Sequence, residues 1–159
     1  MKVALASDHR GDAAGASLAE HLRTAGHEVV MLGDTGPESR DYPVSAWLVG
    51  RSIADGAAQF GILLCGSGNG IAIAANKIPG VRAAVGYDEH AVEMSRRHND
   101  ANVLCIAADA SSSDQINAWA DLWLATPFEG GRHARRVGQM TDIERGEAPD
   151  ENDHAGATG

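Results

Sequence analysis

No stretch of this chain approaches the ~20 consecutive apolar residues that a membrane-spanning helix needs, so no membrane partner is expected. No charged leader with a cleavage site precedes the first apolar run, Val3-Ala4-Leu5-Ala6, which makes the cytoplasm the expected compartment. Cysteine is scarce. Cys65 and Cys105 can in principle pair, but they form no C-x-x-C motif, and a reducing compartment keeps them as thiols. Positive charge is also short: 13 Lys and Arg stand against 22 Asp and Glu, a net charge of -9 that argues against a nucleic-acid or anionic-membrane binder. A local cluster of Arg and His can still hold a phosphate, and part of the negative charge falls between Glu147 and Asp153.

The nucleotide fingerprints are missing too. Gly66, Gly68 and Gly70 lead into Ile71 and follow the third expected strand, whereas a dinucleotide loop needs G-x-G-x-x-G or G-x-G-x-x-A after the first. Lys77 does not follow these glycines in the G-K-[ST] form of a phosphate loop. The seven His fall at no ligand-like spacing and no carboxylate pair accompanies them, so neither a metal nor another cofactor is expected.

What is present fits one α/β domain. A chain of 159 residues buries roughly two-thirds of its unfolded surface, and 43% apolar with 22% charged residues is an ordinary globular composition. Short apolar runs alternate with stretches of helical period, the pattern of a parallel sheet covered by helices on both faces. The runs Lys2–Ser7, Glu28–Leu32, Phe60–Cys65, Arg82–Gly86 and Val103–Ala107 read as five strands. Leu18, Leu22 and Ala25 share a helical face that Gly26 ends. Ile116, Trp119, Ala120, Trp123 and Leu124 form a second stripe, whose Trp side chains read as core. Residues 1–146 read as the domain, and 147–159 as an acidic tail without periodicity, expected to be disordered.

The densest chemical signal is Cys65-Gly66-Ser67-Gly68-Asn69-Gly70-Ile71, where a strand ends and a glycine loop opens a helix. Ligands of open α/β sheets bind outside the carboxyl ends of strands, which is where Cys65 stands. The glycines let backbone amides point at a ligand, and the helix start favours negative charge, so the loop suits a phosphate or a developing enediolate. The same field favours the thiolate, and Ser67 adds a hydroxyl. Read alone, Cys65 divides evenly between this role and that of a small buried hydrophobe, the reading that suits Cys105.

Three further clusters are polar. Ser7-Asp8-His9-Arg10-Gly11 follows the first strand and shares the edge of Cys65, with Asp8 open to the plainer role of helix N-cap. Arg96-Arg97-His98-Asn99-Asp100 closes the helix before the fifth strand, where His98 is either an acid–base group or a favourable cation at a helix end. Gly130-Gly131-Arg132-His133-Ala134-Arg135-Arg136 opens the last helix with two glycines and three Arg, suited to a phosphate dianion or to a solvated basic face.

These motifs in this order, with Ile73-Ala-Ala-Asn-Lys77 after the glycine loop and Arg97 to Asn102, resemble the ribose-5-phosphate isomerase B family across residues 1–146. That family also includes galactose-6-phosphate isomerase subunits and isomerases of allose and tetrulose phosphates. The resemblance implies a Rossmann-like α/β/α sandwich and an aldose–ketose isomerase that opens the sugar ring and moves a proton between C2 and C1 through a cis-enediolate, without metal or nucleotide. It implies Cys65 as the base, because the family's alternative glutamate would stand where this chain has Ile71. It assigns Ser67 and the amides of Gly66, Gly68, Asn69 and Gly70 to the enediolate, and Asp8 and His98 to sugar binding and ring opening. Asn99 goes to a sugar hydroxyl, and His9, Arg132 and Arg136 go to the phosphate, with His133 in the same motif. It further implies a homodimer, or a dimer of dimers, with the site between subunits. Two departures stand out. Arg10-Gly11-Asp12 follows the Asp-His pair, and Asp109 stands where many members carry a phosphate-binding Arg. The expectation is that Arg10 takes over part of the phosphate, or that the substrate differs in length from a pentose phosphate.

Overall fold

The computed structural model of the chain describes residues 1–33 and 38–150. The strands are β1 (Lys2–Ser7), β2 (Glu28–Met31), β3 (Phe60–Cys65), β4 (Ala83–Gly86) and β5 (Val103–Ala107). The helices are α1 (Asp12–Thr24), α2 (Tyr42–Ala54), α3 (Asn69–Ala75), α4 (Glu89–Arg97), α5 (Ser113–Ala125) and α6 (Arg132–Glu144). The strands form one sheet in the order β2-β1-β3-β5-β4, and every pairing is parallel.

That order decides where the helices go. The steps β1 to β2 and β4 to β5 move one way across the sheet, whereas β2 to β3 and β3 to β4 move the other way. Because crossovers between parallel strands are right-handed, α1 and α4 must cover one face and α2 and α3 the other. The core follows this division. Leu18, Leu22, Val92, Ile116, Trp119 and Trp123 pack with Val3, Leu5, Ile62, Leu64 and Ile106 on one side. Ala46, Val49, Ile71 and Ala75 pack with Ala4, Ala6, Leu63, Cys65 and Cys105 on the other, as the alternation of side chains along a strand requires. The result is the expected three-layer, Rossmann-like α/β/α sandwich with a five-stranded parallel sheet.

Local chemistry explains the boundaries. Ser112 and Gln115 exchange hydrogen bonds in a capping box that starts α5, the Asp88 side chain caps α4, and Pro43 sits in the first turn of α2. The Trp stripe is core: Trp123 is fully buried, its indole N–H donates to Ser95 Oγ at 3.0 Å, and Phe60 meets it edge-on. Three expectations need adjustment. Edge strand β2 ends at Met31 rather than Leu32, and β4 starts at Ala83 because the Arg82 N–H is taken by the Asn102 side chain. Ala25 lies past the end of α1 and is exposed, so the buried stripe of that helix consists of Gly15, Leu18, Ala19 and Leu22. Of the expected tail, residues 147–150 carry no regular secondary structure and the remainder lies outside the described residues. No helix among the described residues is long and apolar enough to cross a membrane.

Candidate active site

The strand order reverses between β1 and β3, so the loops that leave their carboxyl ends diverge and open a crevice, the position where open α/β sheets bind ligands. Cys65 ends β3 at this point, 3% exposed, and the Gly68 N–H donates to its Sγ at 3.2 Å. An N–H aimed at sulfur is the contact a thiolate needs. Gly68 reaches this position with φ +75°, a left-handed conformation that few side chains tolerate. Next to it Ser67 is exposed, and its Oγ accepts from the Asn69 N–H at 3.4 Å. The ring of Tyr42, at the start of α2, lies over Gly70, where an added Cβ would stand 2.7 Å from the Tyr42 Cζ. A larger residue at position 70 would displace this ring.

The loop after β1 supplies the other wall. Buried Asp8 accepts from the backbone N–H groups of Arg10 at 2.9 Å and Gly11 at 3.2 Å, so it braces this turn, while the N-cap of α1 is Gly11. His9 is exposed, and its Nδ1 accepts from the Arg40 N–H at 3.3 Å. Arg40 pairs with Asp12, which also accepts from Ser7 Oγ at 2.7 Å. Arg10 reaches across Gly66 to Asp109, its Nε 2.8 Å and its Nη2 2.6 Å from the same carboxylate oxygen. Asp8, His9, Arg10, Cys65, Gly66, Ser67, Gly68, Asn69 and Gly70 therefore come together.

The remaining candidates gather elsewhere. Helix α4 runs back against the strands, so His98 at its C-cap and exposed Asn99 lie at the edge where strands begin. Since Cys65 pairs with Ala107 and Gly61 with Val103, the β5 segment between the two edges alone spans on the order of 13 Å. His133, in the first turn of α6, is 5% exposed and stacks face to face on His98, with ring centroids 4.0 Å apart and 2° between planes. Glu129 Oε2 lies 3.4 Å from His98 Nε2 and 3.6 Å from His133 Nε2, while its Oε1 is 2.8 Å from Arg97 Nη2. That Arg97 hydrogen bond holds the Glu129 carboxyl below its usual range, against the effect of burial. Burial, then the charge of His98 and Arg132, pushes the His133 imidazole below its ordinary value, with Glu129 opposing. Arg132 and Arg136 are exposed beside this pair.

The ligand atoms of His98, Glu129 and His133 lie within 4.8 Å of one another, a grouping that spacing along the chain conceals because His98 comes from α4. They fit a metal poorly as they stand. An ion bound at an imidazole nitrogen lies in the plane of that ring, and two parallel rings stacked 4.0 Å apart offer no common position. Cys105 is buried and free, and burial pushes its thiol up, with neighbouring Cys65 adding to the effect. Leu63 is its pairing partner, so Cys105 and Cys65 are diagonal neighbours about 7–8 Å apart. That exceeds the reach of a disulfide.

Sequence reasoning missed Tyr42, Arg40 and Glu129. Only the glycine at position 70 hinted at Tyr42, and nothing local marks the other two.

The model of the family described as Ribose/Galactose Isomerase matches residues 3–140. Ribose-5-phosphate isomerase B of Escherichia coli (strain K12) is 40% identical over 144 residues, 91% of this chain and 97% of that protein. Among solved structures, Clostridium thermocellum ribose-5-phosphate isomerase B superposes with a TM-score of 0.90 at 42% identity, covering 92% of this chain and 99% of the other. Ribose-5-phosphate isomerase B from Mycoplasma genitalium, solved with bound ribulose-5-phosphate, gives a TM-score of 0.88 at 36% identity over 91% and 96%. With its cysteine loop at the switch point of the sheet and these matches along nearly all its length, the chain belongs to the ribose/galactose isomerase family, the aldose–ketose isomerases of sugar phosphates.

Proposed function

We propose that the enzyme interconverts ribose 5-phosphate and ribulose 5-phosphate in the cytoplasm with Cys65 as base and no cofactor. The observation that carries this reading is the Cys65 sulfur, buried at the end of β3 with the Gly68 N–H 3.2 Å away and a run of glycine amides beyond it. The substrate bound in the Mycoplasma genitalium relative favours the pentose pair. In the proposed cycle Asp8 and His98 open the ring. The Cys65 thiolate then takes the proton from C2 as the C2–H electron pair forms the C1–C2 double bond, and the carbonyl electrons move onto O1. Ser67 Oγ and the loop amides hold the resulting enediolate. The thiol returns the proton to C1, and O2 closes to the new carbonyl as its proton passes to O1. Asn99 takes a sugar hydroxyl, and His9, Arg10, Arg132, His133 and Arg136 take the phosphate.

Cys65 and His98 stand at opposite edges of one chain, so this assignment needs a second copy. In a homodimer about a two-fold axis, which two such dimers can extend to a tetramer, each Cys65 edge meets the partner's His98 edge and two equal sites result. Val44, Trp47 and Ile73, at 60%, 57% and 63% exposure, offer apolar surface on the two helices next to the cysteine loop.

Following isomerisation of ribose 5-phosphate by wild type and Cys65→Ser tests the assignment, with erythrulose 4-phosphate, allose 6-phosphate and galactose 6-phosphate in parallel. Turnover of the ribose substrate that falls by about 10²–10⁴-fold in the variant supports both base and substrate. Stronger turnover of another sugar moves the substrate and keeps the base, and turnover of none that depends on Cys65 overturns the reading.

A further inference from the structure

Arg10 and Asp109 come from the loops after β1 and β5, on either side of β3, and meet above the first residue of the cysteine loop. A Cβ built on Gly66 would stand 2.9 Å from Asp109 Oδ2 and 3.0 Å from Arg10 Nε, so the pair roofs this glycine. The Asp109 backbone N–H donates to the Gly66 carbonyl at 3.2 Å, which ties the acid to the loop itself. Both side chains are about half exposed, at 56% for Arg10 and 43% for Asp109. They are open to solvent at the edge where β1, β3 and β5 end. The contact is side-on: Nε and Nη2 both engage Oδ2, and Nη1 is the amine that this carboxylate does not claim.

A carboxylate beside an anion site is unfavourable taken by itself. A guanidinium on a long exposed stem is a poor anion ligand unless something holds it, because its rotamer freedom must be given up on binding. The two effects have opposite signs, and which one prevails depends on whether Arg10 is there.

We propose that Asp109 is a positioning residue that clamps the Nε–Nη2 edge of Arg10 above Gly66 and leaves Nη1 for the substrate's phosphate. The proposal rests on the sugar-phosphate reading above and assigns the pair, as a unit, to phosphate recognition. Asp109 weakens anion binding directly and strengthens it through Arg10.

The test is a double-mutant cycle of Arg10→Ala and Asp109→Ala, with Asp109→Asn as the conservative variant. KM and kcat for ribose 5-phosphate are read alongside calorimetric binding of inorganic phosphate, and thermal melting checks each fold. Arg10→Ala is expected to raise KM about tenfold, the loss of one charge-assisted hydrogen bond. Asp109→Ala is expected to raise it about threefold with kcat little changed, and Asp109→Asn, which still accepts from Arg10, to restore part of that loss. In the Arg10→Ala background the sign reverses: removing Asp109 lowers KM, because an unpaired carboxylate leaves the site. A merely structural role would not produce this reversal. Tighter binding on Asp109→Ala with Arg10 present overturns the proposal, as does a KM that neither substitution moves. A wild type that isomerises no sugar phosphate defeats the earlier reading instead, and the phosphate calorimetry then decides on the clamp separately, by the same reversal of sign.

Discussion

The edge of the sheet where strands end and the edge where they begin are built from different materials. Around Cys65 a backbone amide, the Gly68 N–H, points at the sulfur from a glycine loop whose first residue lies under the Arg10–Asp109 pair. Around His98 the polar surface is side chains, two stacked imidazoles and a carboxylate locked by Arg97, with Arg132 and Arg136 outside them. Backbone donors are placed by the fold itself and hold a charge that develops in a fixed position. Long side chains are adjustable and suit a dianion at the far end of a flexible substrate. In the proposed site the first edge supplies the base and its glycine loop, and the phosphate ligands come from both edges, His9 and Arg10 from one and Arg132 and Arg136 from the other.

The strongest test of this division asks whether the two edges work only across subunits. Cys65→Ser and His98→Asn homodimers are each expected to be nearly inactive. After subunit exchange the mixture is expected to regain about a quarter of wild-type activity, since half the dimers are mixed and each has one intact site. Rates that stay at zero after confirmed exchange would show the edges do not meet in this way. A second test sharpens the role of the charged edge: Arg136→Ala is expected to raise KM by about 10–100-fold while kcat changes little. Gly70→Ala should act at the other edge. Its methyl group meets the Tyr42 ring, and a drop in kcat of about tenfold is expected, with partial recovery when Tyr42 is also shortened to Ala.

The smallest expected effect concerns pH. Because the His133 imidazole lies below its ordinary value, the folded protein binds that proton less readily than the unfolded chain. The stabilisation is complete above about pH 6.5 and is lost as pH falls from there toward the lowered value. Thermal melting between pH 7.5 and pH 5.5 is therefore expected to show a fall that is smaller in His133→Gln, and ring NMR to place the His133 midpoint higher in His98→Asn. An unchanged midpoint would show that the stacked neighbour does not set it.

Much of this architecture is legible in the residues. The bounds of β1, β3 and β5 are those read from apolar runs, because central strands are covered on both faces and their sequences are apolar throughout. Edge strands β2 and β4 shift by a residue, since only half of their contacts constrain them. The cysteine loop is legible because glycine spacing is local. The split of the site across two edges comes from the resemblance, not from periodicity, yet a helix that follows a strand must end at the opposite edge, so α4 alone puts His98 far from Cys65. Tyr42 over Gly70 and Arg10 on Asp109 are tertiary events between distant segments, and no local pattern records them.

The order of the sheet also sets a sequence in time. Strand β5 lies between β3 and β4 but is made after both, and the Ala108 N–H that binds the Cys65 carbonyl at 2.8 Å comes later still. On a ribosome the strand that carries Cys65 has no neighbour on that side until the chain has passed residue 108. β4 and α4 must be held in reserve across that gap, and such non-local closure is slow. Cys65 is therefore set in its final surroundings only after about two-thirds of the chain has been synthesised. A thiol-directed label applied to stalled Cys105→Ala chains of increasing length would see Cys65 turn from reactive to protected once residue 108 has left the ribosome, which makes this thiol a reporter of the folding of its own strand.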